Sequence, residues 1–291
     1  MHYITSKGIL SAKNGMNLYR GCTHGCIYCD SRSACYHMEH DFEDIAVKEN
    51  AIELLASALK RKRKKCMIGT GSMTDPYIPL ERELGNVRRA LNLVYDYGFG
   101  FTVITKSDLI LRDIDLLQKI NETTKCVVQM TLTTYDEDLC RKIEPNVCTT
   151  PKRFEVLKCL NNAGIPTVVW LSPILPFIND TVDNLCGVLN YCAKAKVHGV
   201  ICFGMGLTLR EGSREYFYQQ LDSLFPGLKE RYIRTYGNQY ELISPNHKKL
   251  MSLFHKICDE EGMLHHNSEI FQYLSTFEEK EYSLFNSPEQ S

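Results

Sequence analysis

Short apolar runs alternate with longer segments of helical periodicity from about residue 17 to residue 204. Runs rich in β-branched side chains are typical of buried strands, whereas apolar positions spaced three and four apart indicate amphipathic helices. A regular succession of strand and helix favours parallel βα units. The predicted strands are residues 16–19, 66–68, 101–105, 127–132, 166–171 and 199–203. The predicted helices are residues 50–59, 84–97, 110–120, 153–163 and 181–195.

Six strands are too few for a closed (βα)8 barrel. They predict an α/β fold in which residues 17–212 form a partial (βα)6 TIM-like barrel after an N-terminal segment, residues 1–16. The alternation ends near residue 213, so residues 213–291 are predicted to be a mostly helical extension packed on the core, with residues 246–261 as its clearest helix. Because the chemistry of such barrels lies beyond the carboxyl ends of the strands, the loops that follow the strands should share one site.

Composition narrows the class of protein. Of the 291 residues, 44% are apolar and 24% charged, which is ordinary for a soluble globular chain. The net charge of −1 gives no global case for binding nucleic acid or an anionic membrane. The basic run at residues 60–65 could bind phosphates, but it lies at the end of a predicted helix, where the helix dipole favours solvated cations. Residues 1–13 lack the apolar core that a signal peptide requires, and the longest apolar stretches are only as long as a strand, so we expect a cytoplasmic protein without a membrane partner.

Three of the 13 cysteines are clustered, whereas most of the others are scattered singly, as reduced thiols are. Residues 20–29 read Arg-Gly-Cys-Thr-His-Gly-Cys-Ile-Tyr-Cys, directly after the first predicted strand. Cys22, Cys26 and Cys29 therefore have the spacing Cys-X3-Cys-X2-Cys. Three thiolates in a glycine-containing loop can hold one [4Fe-4S] cluster and leave one iron open to a small molecule. A zinc site completed by His24 or His37 is the alternative, although structural zinc normally uses a second, distant ligand pair.

The wider string around these cysteines resembles a known signature. Tyr-Arg-Gly-Cys-X-His-Gly-Cys-Ile-Tyr-Cys-X-X-Arg, residues 19–32, is similar to the motif of the radical S-adenosylmethionine (SAM) superfamily, and within it to the spore photoproduct lyase-like branch. The resemblance runs from about residue 17 to residue 203. It implies a [4Fe-4S] cluster on the three cysteines, SAM chelated at the open iron, and one-electron cleavage of SAM to a 5′-deoxyadenosyl radical. A flavodoxin- or ferredoxin-type protein would be the external reductant.

The resemblance also implies cofactor-binding residues. Residues 69–77 follow the second predicted strand, and their glycines allow close backbone approach, while Ser72 and Asp75 can meet an ammonium group. In the family this loop holds the methionyl amine of SAM. Lys106, at the end of the third strand, matches a SAM-contacting lysine, with a solvated lysine as the alternative. Tyr28 is the aromatic residue before the last cysteine of the signature. Residues 144–146 and 172–180 also resemble family strings, and both a structural role and ligand contact stay open for them.

The substrate is not readable from the sequence. A nucleic-acid lesion is one candidate, and a non-catalytic iron-sulfur electron carrier or sensor is the alternative function. Spore photoproduct lyases, as the family is understood, return a hydrogen atom from a cysteine in the loop after strand two, but residues 69–77 contain none. Cys66 is expected to be buried in the barrel, about 10 Å from that loop. The sequence therefore predicts a substrate other than the spore photoproduct.

Overall fold

The computed structural model describes residues 1–280, so the last part of the predicted extension, residues 281–291, lies outside the described residues. The strands are β1 (His2–Ile4), β2 (Gly15–Met16), β3 (Tyr19–Arg20), β4 (Ala46–Lys48), β5 (Met67–Thr70), β6 (Gly100–Thr105), β7 (Cys126–Thr131), β8 (Thr167–Trp170), β9 (Gly199–Ile201), β10 (Gly206–Thr208) and β11 (Glu241–Ile243). The helices are α1 (Ala51–Arg61), α2 (Glu81–Leu84), α3 (Asn86–Asp96), α4 (Ile114–Thr123), α5 (Glu137–Ile143), α6 (Thr150–Asn162), α7 (Val182–Lys194), α8 (Ser213–Leu224), α9 (Leu228–Tyr236), α10 (His247–Glu260) and α11 (Asn267–Ser275).

Six strands form the central sheet in the order β2-β5-β6-β7-β8-β9, and every pair is parallel. The predicted α/β fold with a partial TIM-like barrel is confirmed. All six residues of β7 are buried, as expected of a central parallel strand covered on both faces. The carboxyl ends of β5, β6 and β8 consequently open toward one side of the molecule.

The two faces of the sheet are covered by different parts of the chain. Val103, Val128 and Val169 belong to the large core that includes residues of α3, α4, α6 and α7. The opposite face is covered by α11, whose Ile270 and Leu274 pack against the residues Val127, Val168 and Ile201. Burying an aliphatic side chain contributes about 1.5–3 kcal/mol to stability. The extension therefore stabilises a sheet face that would otherwise be open, because six strands do not close into a barrel.

The same segment also reaches the open edge of the sheet. Leu264 lies beside Gly199 in a parallel bridge. The backbone N–H of Val200 donates to the Leu264 carbonyl at 2.8 Å, and the N–H of Leu264 donates to the His198 carbonyl at 3.2 Å. These bonds satisfy part of the edge that an incomplete barrel exposes.

Some predicted elements were wrong in detail. The strand predicted at residues 16–19 is split, because β3 leaves the central sheet and pairs antiparallel with β4, which also pairs with β1. A strand, β11, lies in the extension where only helices and loops were predicted, and it pairs antiparallel with β10. The helix predicted at residues 110–120 begins as a 3-10 turn, Asp108–Asp113, before α4.

Across residues 1–280, none of the helices combines the length and apolar character needed to cross a bilayer.

Candidate functional site

A cavity of about 540 Å³ lies beyond the carboxyl ends of the parallel strands. Loops after β3, β5, β6, β8 and β9 reach its wall, as expected for a site built on a parallel barrel. The structure places all the residues that the sequence singled out for the cluster and for SAM around this one cavity. They are Cys22, Cys26, Tyr28, Cys29, Ser72, Asp75 and Lys106.

The cysteine loop presents three thiols to the cavity. Cys22 and Cys26 are buried and Cys29 is half-buried. The backbone N–H of Cys22 donates to the Phe42 carbonyl at 2.9 Å. Burial raises the pKa of Cys22 to about 12 and raises that of Cys26 further still. Such thiols become thiolates when a metal supplies the compensating charge.

The spacing of the sulfurs separates the two metal hypotheses. Over the described part of the chain, one trio of metal-ligating side chains has all its donor atoms within 4.8 Å of one another, His2, His40 and Asp44, and it lies outside the cavity wall. The three clustered cysteines form no such group. A single zinc ion with Zn–S bonds of about 2.3 Å would hold its sulfurs about 3.8 Å apart. At least one pair of these three sulfurs is therefore farther apart than a single zinc ion requires.

The loop after β5 is held against β6 by Gly71 and Asp75. Gly71 has φ +97°, and a Cβ there would lie 2.0 Å from the Ile104 carbonyl oxygen, so only glycine fits. The Asp75 carboxylate accepts from the Thr105 hydroxyl and the Lys106 backbone N–H, both at 2.8 Å. Asp75 therefore joins two of the predicted cofactor loops as well as facing the cavity.

Lys106 brings a positive charge to the cavity. Its Nζ lies 5.8 Å from the centroid of the Tyr28 ring, within the range of a cation–π contact. Burial alone would lower the pKa of Lys106, but the negative groups around it, Cys26 in its thiolate form and the Glu144 and Asp75 carboxylates, raise it above its ordinary value. The ammonium group therefore stays charged and can pair with a ligand carboxylate.

Tyr28 is anchored by a buried ion pair that the sequence did not indicate. The Tyr28 hydroxyl donates to Glu144 Oε1, and Glu144 Oε2 lies 2.6 Å from Arg153 Nη2. Glu144 and Arg153 are 1% and 0% exposed, which is rare for charged residues unless they are paired. Glu144 does not line the cavity. Of the two roles left open for residues 144–146, Glu144 therefore has the structural one.

Another part of the cavity wall, formed by residues 203–208, 241–243 and 247, comes from segments that the sequence did not single out. The backbone N–H of Met205 donates to His247 Nδ1 at 3.2 Å, so a neutral His247 carries its proton on Nε2. The sequence signal that could have revealed this part of the wall is the pair of glycines at residues 204 and 206, shortly after β9. The wall consists mainly of apolar side chains, with Thr208, Glu241 and His247 as polar members. Its apolar members are Phe203, Met205, Leu207, Leu242 and Ile243.

An aromatic rim completes the cavity. Trp170 lines it, and its indole Nε1 donates to Gln129 Oε1 at 2.8 Å, which fixes the ring. The Phe203 ring lies 5.8 Å from that of Trp170, and Phe203 is 62% exposed. A large aromatic side chain exposed beside a cavity is available to contact a ligand.

Proteins of similar sequence and solved structures of similar fold place this chain in a family. The radical SAM superfamily model matches residues 16–187. An uncharacterized protein of Mycobacterium tuberculosis is 26% identical over 257 residues, covering 86% of this chain and 75% of its own length. An uncharacterized protein of Methanocaldococcus jannaschii is 34% identical over 181 residues, covering 62% of this chain and 66% of its own.

A solved structure of a spore photoproduct lyase variant with bound AdoMet and dinucleoside spore photoproduct superposes with a TM-score of 0.63. It is 14% identical and covers 85% of this chain and 74% of its own, a likeness that concerns the fold. The family match spans more than half of the chain, over the cysteine loop and over β5, β6 and β8, whose loops reach the cavity. The chain belongs to the radical SAM superfamily, whose cofactors, a [4Fe-4S] cluster and SAM, are those that its sequence predicted.

Proposed function

We propose that Cys22, Cys26 and Cys29 hold the [4Fe-4S] cluster and that Lys106 and the loop of residues 71–75 bind the methionyl part of SAM. The single observation that carries this proposal is that the three clustered thiols line one cavity together with a charged lysine. When bound, the reduced cluster supplies the electron that cleaves SAM to methionine and a 5′-deoxyadenosyl radical. A flavodoxin- or ferredoxin-type protein is the proposed source of that electron.

The residues of the chain have distinct tasks in this proposal. The Lys106 ammonium pairs with the SAM carboxylate, because it stays charged beside the cysteines. The Ser72 hydroxyl accepts from the SAM ammonium, and Asp75 keeps the loop in register with Lys106. Burial of Cys22 and Cys26 keeps water away from the cluster.

The cavity favours an enzyme over an electron carrier or sensor. An electron carrier has no use for a large cavity beside its cluster, and none for a charged lysine directed into it. The wall formed by residues 203–208, 241–243 and 247 offers apolar side chains beside an aromatic rim, which suit a substrate bearing a ring or an alkyl group. A nucleic-acid lesion is one such substrate, since bases stack on exposed aromatic side chains such as Phe203. A lyase-like reaction on that lesion is the finer form of the proposal.

We expect the anaerobically reconstituted, reduced protein to cleave SAM to 5′-deoxyadenosine, measured by chromatography. Lys106→Met should weaken SAM binding about 10- to 150-fold, because a charge-assisted hydrogen bond contributes about 1.5–3 kcal/mol. Isothermal titration of the holoprotein with SAM measures the change. Alanine at Ser72, Asp75 and Lys106 together should abolish measurable binding.

Lys125→Met is the matched control. Lys125 is also buried and donates to the Tyr273 carbonyl at 2.9 Å, but it precedes β7 at the opposite end of the sheet from the cavity. We expect the control to lower the unfolding temperature and leave SAM affinity unchanged. Unchanged SAM affinity in the triple alanine variant would show that the pocket is elsewhere.

A further inference from the structure

The loop between α5 and α6 is hydrogen-bonded to the backbone of the cysteine loop. The backbone N–H of Ile27 donates to the Ile143 carbonyl at 3.0 Å. Asn146 returns two bonds, from its backbone N–H to the His24 carbonyl at 3.1 Å and from its side-chain Nδ2 to the Thr23 carbonyl at 2.9 Å. Each bond ends on the backbone between the first and last cysteines of the motif, so this loop determines the path of the cysteine loop.

The contact between the two loops is tight. Gly25 has φ +72°, and a Cβ there would lie 3.1 Å from Pro145 Cγ and 3.2 Å from Asn146 Nδ2. The cysteine loop therefore has little room to move away from residues 145 and 146 without losing their contacts.

Glu144 lies at the centre of this contact. It accepts from the Tyr28 hydroxyl on one oxygen and pairs with Arg153 on the other. Arg153 is itself fixed, because its Nη1 donates to the Thr131 carbonyl at 3.0 Å and its Nε to the Cys148 carbonyl at 2.9 Å. Burial would raise the pKa of Glu144, but the charges of Arg153 and Lys106 hold it below its ordinary value. The carboxylate is consequently an ionised group held rigidly beside the cysteine loop.

A fixed negative charge near an iron-sulfur cluster opposes the arrival of an electron. Its effect is large where water is excluded, and Glu144 and Cys26 are both buried. Hydrogen bonds that orient the ligand loop also slow the loss of the metal. Both effects act through the Glu144 side chain, which does not line the cavity and also accepts from the Cys140 thiol at 3.5 Å.

We propose that Glu144 is a positioning residue that holds the cluster loop through Tyr28 and lowers the reduction potential of the cluster by its charge. The inference rests on the proposed attachment of the cluster to Cys22, Cys26 and Cys29. Arg153 keeps the carboxylate ionised, and the pair thereby links α6 to the cluster.

The test uses the anaerobically reconstituted holoprotein and two variants. Glu144→Gln keeps the shape and an oxygen acceptor for Tyr28 but removes the charge, so the midpoint potential should become more positive. Tyr28→Phe keeps the charge but removes the tether, so iron should be lost to a chelator about 10- to 100-fold faster, with a smaller change in potential. The potential is measured by a redox titration followed by electron paramagnetic resonance, and the loss by absorbance.

The chain contains a matched control. Glu81 is 0% exposed, accepts from the Tyr19 hydroxyl and lies 2.7 Å from Arg112 Nη2, so it repeats the arrangement away from the cavity wall. Glu81→Gln should lower the unfolding temperature without changing the potential or the rate of iron loss.

Wild-type iron loss in Tyr28→Phe would overturn the proposed tether, even if Glu144→Gln did not fold. A wild-type potential in Glu144→Gln, or an equal shift in Glu81→Gln, would overturn the electrostatic role. Either result would leave the cysteine assignment intact, whereas a full cluster in Cys26→Ala would remove the basis of both proposals.

Discussion

Replacing Cys26 by Ala is expected to reduce the iron content from about four atoms per chain to less than one after anaerobic reconstitution. Cys26 is the middle ligand of the proposed set, and no other thiol among the described residues lines the cavity except Cys22 and Cys29. Two thiolates do not hold a cubane that already leaves one iron without a protein ligand. The brown colour and the absorbance near 400 nm should disappear together with the iron.

Cys192→Ala is the control for this loss. Cys192 is equally buried but lies in α7, where it packs in the large hydrophobic core. Its replacement removes one buried sulfur and should cost some stability while leaving about four irons per chain. If the variant lacking all three clustered cysteines still carried a full cluster, the assignment of the ligands would be wrong.

The central strands could be predicted because they are buried on both faces and read as continuous apolar runs. β7 and β8 are examples, and their predicted bounds differ from those found by only one residue at each end. The short strands β1, β3, β10 and β11 have two or three residues each, too few for a periodicity to be visible. Their pairing is decided by tertiary contacts between distant segments.

In the site, too, the parts formed by one local segment could be predicted and the parts formed by distant segments could not. The cysteine loop and residues 69–77 are local in sequence, so their spacing and residue types are readable directly. The wall formed by residues 203–208, 241–243 and 247 combines two distant segments, and the pairing of β10 with β11 that brings them together is not local. Arg153 was predicted only as part of a helix, because arginine is normally exposed and nothing in the sequence marks its ion pair with Glu144.

Apart from the three proposed cluster ligands, no thiol of residues 1–280 lines the cavity and could donate a hydrogen atom to a substrate radical. Among the described residues, the thiols that line the cavity are the three proposed cluster ligands. Cys66, which was predicted to be buried in the barrel, is partly exposed, because it precedes β5 at the end of the strand away from the loop. Tyr77, the tyrosine at the end of the loop after β5, is fully buried and does not line the cavity, where the tyrosines are Tyr28 and Tyr36.

We therefore expect the protein to leave the thymine lesion of the spore photoproduct unrepaired while it cleaves SAM. A lyase that lacks a thiol beside the product radical cannot return a hydrogen atom efficiently, so 5′-deoxyadenosine should accumulate without thymine. The assay offers the lesion dinucleotide and a lesion-bearing oligonucleotide to the reduced holoprotein and measures both products. Met73→Cys separates two reasons for inactivity, because Met73 lines the cavity in the loop after β5. If the donor alone is missing, this variant should gain repair, whereas a protein with another substrate should stay inactive in both forms. Repair by the wild-type protein over many turnovers would refute the prediction and would require a donor other than a thiol of the cavity wall.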